Sequence, residues 1–282
     1  MNTEALDLIK RALSEDIRTG DVSSCCIPEQ YICNGELLMK SSGVIAGLDI
    51  FEEVFNQVDP AVCIEKKKND GEQVLLEKGE SCQIAILEGK ARSILQAERV
   101  ALNFLQHLSG VATLTRAFVD KIKGSTIIIR DTRKTLPGLR FLEKKAVVLG
   151  GGQNHRMAMD DMVLIKDTHW EIVRKLGLPM SKYVADLKTK TTVPIEIEAK
   201  TLEEVQEALG CSPDCILLDG MNLSLLRQAI SLLEGHCKIE VSGGVTLENI
   251  GTYASLPIDF IAIGALTHSA PAVDFSIEIT EQ

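Results

Sequence analysis

Six short aliphatic runs punctuate the chain beyond Gly124, namely TIIIRD, MVLIKD, PIEIEA, CILLDG, KIEVSGG and FIAIGA, and each ends in residues that a buried strand does not need. Runs rich in Ile, Val and Leu and separated by helical segments read as parallel strands covered on both faces. The last four begin at intervals of roughly 20 to 25 residues, the length of a compact strand-helix repeat. A parallel β/α barrel is expected rather than an open nucleotide-binding sheet. No GxGxxG follows the first run, and GGGQNHR at 150–156 has the wrong order for that fingerprint.

Upstream the pattern differs. GELLMKSS reads as a strand, LDIFEEVFNQV has helical spacing, and AVCIEKK and SCQIAIL flank the turn-forming NDGE, which together describe a small α+β unit. Apolar residues from Ile94 to Phe118 form a helical stripe, and Gly110 is read as its interruption and as the domain boundary. The expected division is an N-terminal α+β domain at 1–110 and a barrel domain at 111–267, with a tail from about 268 to 282 packing against the first.

The strand ends carry the chemistry. TIII runs into Arg130, Asp131, Arg133 and Lys134, MVLI into Lys166 and Asp167, PIEI into Glu198, CILL into Asp219, KIEV into Ser242, Gly243 and Gly244, and FIAI into Gly264. A parallel barrel opens all its carboxyl-terminal strand ends on one rim, so these residues are expected to converge. Arg133, Lys134, His155, Arg156 and Lys166 would then crowd one mouth of a chain whose formal net charge is −10. Clustered cations of this kind need an anion, and a polyanionic small molecule is the expected ligand. The acidic balance argues against a nucleic-acid partner.

Glu198 and Asp219 would face those cations from neighbouring strands, a pair suited to Mg²⁺ shared with substrate phosphates or to a developing positive charge. Pairing of both with Lys166 is the plainer alternative. SGGVTLENI is read as a small-residue turn before a helix capped by Thr246, and GALTHSA as a second such turn. Both suit phosphate binding through backbone N–H groups. His107, His169, His236 and His268 are read as helix or loop residues, and Met157, Met159 and Met162 as core filler. The eight cysteines form no CxxC pair, so most are expected to be buried thiols, and neither zinc nor disulfides are indicated. No run reaches the length of a membrane span and MNTEALDLIKRAL lacks a signal-peptide core, so a cytoplasmic protein without a membrane partner is expected.

ERVALNFLQHLSGVAT, DTRKTLPGLR, GGGQNHR, LIKDTH, IEIEAKTLEE, ILLD, SGG and GALTHSA, in this order, resemble nicotinate-nucleotide pyrophosphorylase (carboxylating), the quinolinate phosphoribosyltransferase family. The resemblance covers nearly the whole chain. It implies a sandwich-like N-terminal domain before an incomplete α/β barrel. It also implies transfer of the phosphoribosyl group of phosphoribosyl pyrophosphate to quinolinate, with Mg²⁺, giving nicotinate mononucleotide, CO₂ and pyrophosphate. By the same resemblance, Thr132, Arg133, Lys134, His155, Arg156 and Lys166 surround the dicarboxylate and phosphates, Glu198 and Asp219 face ribose and metal, and Ser242, Gly243, Gly244 and Gly264 take the 5′-phosphate. Lys134 and Lys166 are the candidates for steering decarboxylation. A homodimer, or a hexamer built as a trimer of dimers, would place Arg99 in a neighbour's site.

The chain departs from the family pattern at Gly220 and Thr168, where Asn is usual, and at Val148, where Arg is common. Three other readings remain: a molybdenum-associated paralogue, a lyase using Lys166 as a Schiff base, and a phosphate-binding module without activity.

Overall fold

The structure is a computed structural model that describes residues 3–280. Its first elements are α1 (Thr3–Ile17), β1 (Ile32–Met39), β2 (Gly43–Val44), α2 (Leu48–Val58), β3 (Cys63–Lys66), β4 (Gln73–Val74), β5 (Cys82–Lys90) and α3 (Ala91–Lys121). The strand-helix series follows as β6 (Ile128–Arg130), α4 (Arg140–Leu149), β7 (Val163–Ile165), α5 (Asp167–Lys175), α6 (Met180–Lys188), β8 (Ile195–Ala199), α7 (Leu202–Leu209), β9 (Cys215–Asp219) and α8 (Leu223–Leu233). The chain closes with β10 (Lys238–Ser242), a 3-10 turn at Ile250–Thr252, β11 (Phe260–Ala262), α9 (Ala265–His268) and β12 (Phe275–Thr280). It divides into two compact units, Met1–Arg116 with Thr135–Gly151 and Ala265–Gln282, and Ala117–Lys134 with Gly152–Gly264.

The first unit is built on a four-stranded antiparallel sheet in the order β12-β1-β5-β3. Alternate residues of β1 are buried, as expected where one sheet face meets a core. Helix α1 buries Ala5, Ile9 and Leu13, one residue every fourth position, and α2 buries Leu48, Ile50, Phe51, Val54 and Phe55. Helix α3 runs unbroken through Gly110, contrary to the interruption expected there. The glycine has a packing role instead. A Cβ at 110 would collide with the Pro271 carbonyl oxygen, so its absence lets the 271–272 segment lie against the helix. Val273 N–H then donates to the Gln106 carbonyl at 3.1 Å, and β12 goes on to pair with β1.

The second unit carries six parallel strands in the order β6-β11-β10-β9-β8-β7. These are the six aliphatic runs of the sequence. β6 and β7 lie at opposite ends of the order, which leaves the barrel incomplete, and Gln153 adds one parallel bridge to Arg130 at the β6 edge. Between β10 and β11 the expected helix is replaced by the 3-10 turn. Thr246 does not cap it: its N–H donates to Asn249 Oδ1 at 2.8 Å, folding 246–249 into a turn. The helix-dipole argument for a phosphate at Thr246 therefore fails, because three residues of 3-10 helix carry little dipole.

Two packing expectations are also corrected. Only Cys33, Cys211 and Cys215 of the eight cysteines are buried, while Cys25, Cys26 and Cys63 are exposed. Met159 is 73% exposed and thus no core residue.

Candidate active site

Parallel register decides which side chains meet at the rim. Arg130 pairs with Ala262, Ala262 with Ser242, and Ser242 with Asp219. Glu198 pairs with Leu217, and Ile165 pairs with Ile197, which places Lys166 level with Glu198. A cavity of about 430 Å³ opens there, lined by the cations Arg133, Lys134, Arg156, Lys166 and Lys200, the carboxylates Asp167, Glu198 and Asp219, and also Thr132, His155, Leu164, Leu217, Ser242 and Ala262. The cationic residues expected to converge do so.

Arg156 Nη1 donates to the Met162 carbonyl at 2.9 Å, while its Nε is buried without a hydrogen-bond partner among the described residues. Burial, then the nearby Arg133 charge, push the Arg156 pKa down. Two neighbouring guanidinium groups at one cavity are suited to gripping an anion.

The carboxylates line the same cavity. Burial first, then the charges of Asp219 and Asp167, raise the Glu198 pKa. Lys200, which the sequence reading overlooked, partners all three acids: Nζ lies 2.7 Å from Asp167 Oδ2 and 3.7 Å from both Glu198 Oε1 and Asp219 Oδ2. The sequence offers Lys166 as an alternative partner for Glu198 and Asp219; Lys200 takes that place. Trp170 on α5 anchors Glu198 from behind, its Nε1 donating to the Glu198 carbonyl at 2.8 Å.

A second polar layer lies beneath the rim. Residues two apart on a strand share a face, so Glu196 sits under Glu198 and Glu240 under Ser242. Both carboxylates are buried, as is His155. His155 Nε2 lies 2.9 Å from Glu196 Oε2 and 3.4 Å from Glu240 Oε1, and Arg130 Nη1 bonds Glu240 Oε2 at 2.8 Å. Burial, then the Glu196 charge, push the Glu240 carboxyl up to about 7. For His155, burial opposes a positive charge, but the Glu196 hydrogen bond and the Glu240 charge outweigh it and raise its pKa. His155 Nδ1 accepts the Arg156 N–H at 2.8 Å, so an imidazolium protonated at Nδ1 would give up that contact. The neutral Nε2–H tautomer fits both bonds.

This layer corrects two strand-end assignments. Arg130 turns inward to Glu240 and stacks on Phe260, 3.2 Å from the ring centroid. Asp131 is fully buried and accepts the His155 N–H at 2.9 Å. Neither lines the cavity. The signal for the layer was present in PIEIEA and KIEVS, where a carboxylate interrupts an aliphatic strand two positions before a rim residue.

Of the expected phosphate loop, Ser242 lines the cavity, whereas Gly243, Gly244 and Gly264 do not. Gly243 has φ of +89°, and a Cβ there would stand 2.8 Å from the Gly220 nitrogen and 3.0 Å from Asp219 Oδ1. Its bareness lets the β10 loop close on the β9 loop, where Gly220 N–H donates to the Ser242 carbonyl at 2.9 Å. Gly220 itself has φ of +67°, a region that glycine and asparagine share, so the departure from the family's Asn preserves the backbone. Arg99 is exposed on α3, in the other compact unit, and Val148 is exposed on α4. Thr168 is exposed in the first turn of α5.

Comparison with known proteins identifies the family. Family models for the quinolinate phosphoribosyl transferase N-terminal and C-terminal domains match residues 16–109 and 111–278. A probable nicotinate-nucleotide pyrophosphorylase [carboxylating] of Bacillus subtilis is 39% identical over 273 residues, covering 97% of this chain and 92% of that protein. A quinolinate phosphoribosyltransferase [decarboxylating] of Nicotiana tabacum, designated 2b, mitochondrial, is 38% identical over 291 residues, covering 97% and 81%. Among solved structures, NadC from Streptococcus pyogenes superposes with a TM-score of 0.89 at 38% identity, over 97% of this chain and 95% of that one. With both domain models matched in order along its length, the chain belongs to the quinolinate phosphoribosyltransferase family.

Proposed function

We propose that this chain transfers the phosphoribosyl group of phosphoribosyl pyrophosphate to quinolinate and decarboxylates the adduct, giving nicotinate mononucleotide, CO₂ and pyrophosphate. The observation that carries this reading is the gathering, around one cavity, of the neighbouring Arg133 and Arg156 and the neighbouring Glu198 and Asp219. Two multiply charged anions must be held face to face, and only a dense set of cations offsets their mutual repulsion. Orientation of this kind can supply roughly 7–11 kcal/mol of barrier reduction.

The chemistry asks little more of the protein. The pyridine nitrogen lone pair forms the bond to the anomeric carbon as the bond to pyrophosphate breaks. Positive charge builds on the sugar in that transition state, where Glu198 and Asp219 stabilise it. When the adjacent carboxylate leaves as CO₂, the electron pair of the broken bond stays on the ring carbon, where the neighbouring pyridinium charge stabilises it, and that pair takes up one proton. Lys134 and Lys166, both exposed at the cavity, are assigned to steer this second step. Thr132 and Ser242, which line the cavity, are assigned to the phosphates, and the Gly243, Gly244 and Gly264 backbone beside it to the 5′-phosphate.

Mg²⁺ fits the donor set. Glu198, Asp219 and Asp167 offer the hard oxygens this ion prefers, and the cluster already attracts a cation in Lys200. When bound there, Mg²⁺ would neutralise charge on the departing pyrophosphate. An oligomer in which Arg99 completes a neighbour's site is part of the same proposal. Mixed Arg99→Ala and Lys166→Ala dimers should regain part of the turnover that each parent lacks.

No helix among the described residues is long and apolar enough to cross a membrane. The names of plant relatives carry mitochondrial and chloroplastic designations, so the cytoplasmic location is proposed from the sequence alone. Purified protein with quinolinate, phosphoribosyl pyrophosphate and Mg²⁺ should release CO₂ and nicotinate mononucleotide in equal amounts. Absence of both would falsify the assignment. Release of pyrophosphate without CO₂ would also count against it.

A further inference from the structure

The Asp167–Glu198–Asp219 cluster holds a cation of the chain's own. Lys200 is the first residue past β8, and its Nζ reaches all three acids, at 2.7 Å from Asp167 and 3.7 Å from each of the other two. The Lys200 side chain remains 43% exposed, so its flexible stem can withdraw into solvent without disturbing the core. All four residues line the cavity. Gathering three carboxylates at one rim is unfavourable unless a positive charge stands among them.

We infer that Lys200 is the resident counter-ion of this cluster: it occupies the place of the divalent cation in the free protein and yields that place only when a polyanionic substrate arrives. This rests on the reading above that the ion binds at Glu198 and Asp219. The physical reason is competition for the same oxygens. A bare divalent ion approaching Glu198 and Asp219 meets an ammonium already in contact range, and the two cations repel. A diphosphate changes the balance by giving the ammonium other oxygens to bind. Metal and diphosphate therefore enter as coupled ligands, each raising the other's affinity by the same factor.

Mn²⁺ is a suitable probe, its free fraction being counted by electron paramagnetic resonance in a solution of the full chain without quinolinate. Wild type should bind Mn²⁺ weakly in the absence of pyrophosphate, and Lys200→Met should bind it at least about tenfold more tightly. Lys200→Arg, which keeps the charge, should stay close to wild type. Added inorganic pyrophosphate should narrow the gap between wild type and Lys200→Met. Adding Asp219→Asn to Lys200→Met should abolish the tight binding, which ties it to this cluster.

The inference is overturned if Lys200→Met, with an unfolding midpoint matching wild type, binds Mn²⁺ no more tightly. It is equally overturned if Lys200→Arg binds as tightly as Lys200→Met. Lys200→Gln provides the same comparison should the methionine variant fold poorly. Turnover plays no part in these titrations, so failure of the proposed reaction and failure of this competition are separate outcomes.

Discussion

His155 Nε2 and Glu196 Oε2 lie 2.9 Å apart beneath the rim of the cavity, in a bond that orients the ring with Nδ1 toward the Arg156 N–H. Glu196 is thus a positioning residue, acting on the anion site through His155. Glu196→Ala should raise the KM for quinolinate at least about tenfold, with a smaller fall in kcat. Glu196→Gln, which keeps an acceptor for Nε2–H, should recover most of the loss. Steady-state kinetics of the two variants decide this, and an unchanged KM in Glu196→Ala would remove the role.

Glu240 supplies a prediction about pH and stability. Burial and the Glu196 charge raise its carboxyl from an ordinary value of 4.5 to about 7 in the folded protein. Between those values the folded state keeps a proton that the unfolded chain releases. Its contribution to stability is therefore present below about pH 4.5, declines as pH rises to about 7, and stays level beyond. Glu240→Gln keeps a hydrogen-bonding group beside Arg130 but loses the proton equilibrium. Urea midpoints at a series of pH values should show the wild-type slope across this window flattened in the variant, a difference on the order of 1–3 kcal/mol. Parallel slopes in the two proteins would contradict the assignment.

Trp170 is the single tryptophan of the chain and is buried. Its indole N–H holds the Glu198 carbonyl, while the Arg174 guanidinium lies 5.1 Å from its ring. Trp170→Phe should lose about 1 kcal/mol of stability through that hydrogen bond. It should also lower kcat/KM several-fold, because Glu198, proposed to face the sugar, is less firmly placed. Unfolding midpoints and turnover are measured on the same preparation; a stability loss with intact turnover would limit Trp170 to a packing role.

Gly110 tests the packing of α3. Gly110→Ala improves helix propensity, which on its own would stabilise the protein. The methyl group has no room beside the Pro271 carbonyl, and displacement of that segment should outweigh the gain by about 1–3 kcal/mol. A denaturation midpoint equal to or above wild type would show that the 271–272 segment does not press on the helix as described.

Glu198 carries a further pH prediction. Burial, Asp219 and Asp167 raise its pKa above 4.5, and in the proposed reaction the ionised form stabilises positive charge on the sugar. Activity should therefore be lost on acidification at a pH above the ordinary glutamate value. A pH profile of kcat/KM measures this, and an acid limb at or below that value would contradict it.

The sequence by itself determined the architecture and the convergence of charge. An aliphatic run ended by polar residues reports its own burial locally, and repetition of that pattern at strand-helix spacing leaves few arrangements for Arg133, Arg156, Lys166, Glu198 and Asp219 other than one rim. Partnership was decided by the tertiary structure. Lys200 rather than Lys166 serves the carboxylates, Arg130 turns to Glu240, Gly110 accommodates Pro271, and Thr246 caps nothing. Such pairings depend on the register between strands far apart in the chain and on contacts of an ångström or less in tolerance, and neither leaves a periodic trace in composition.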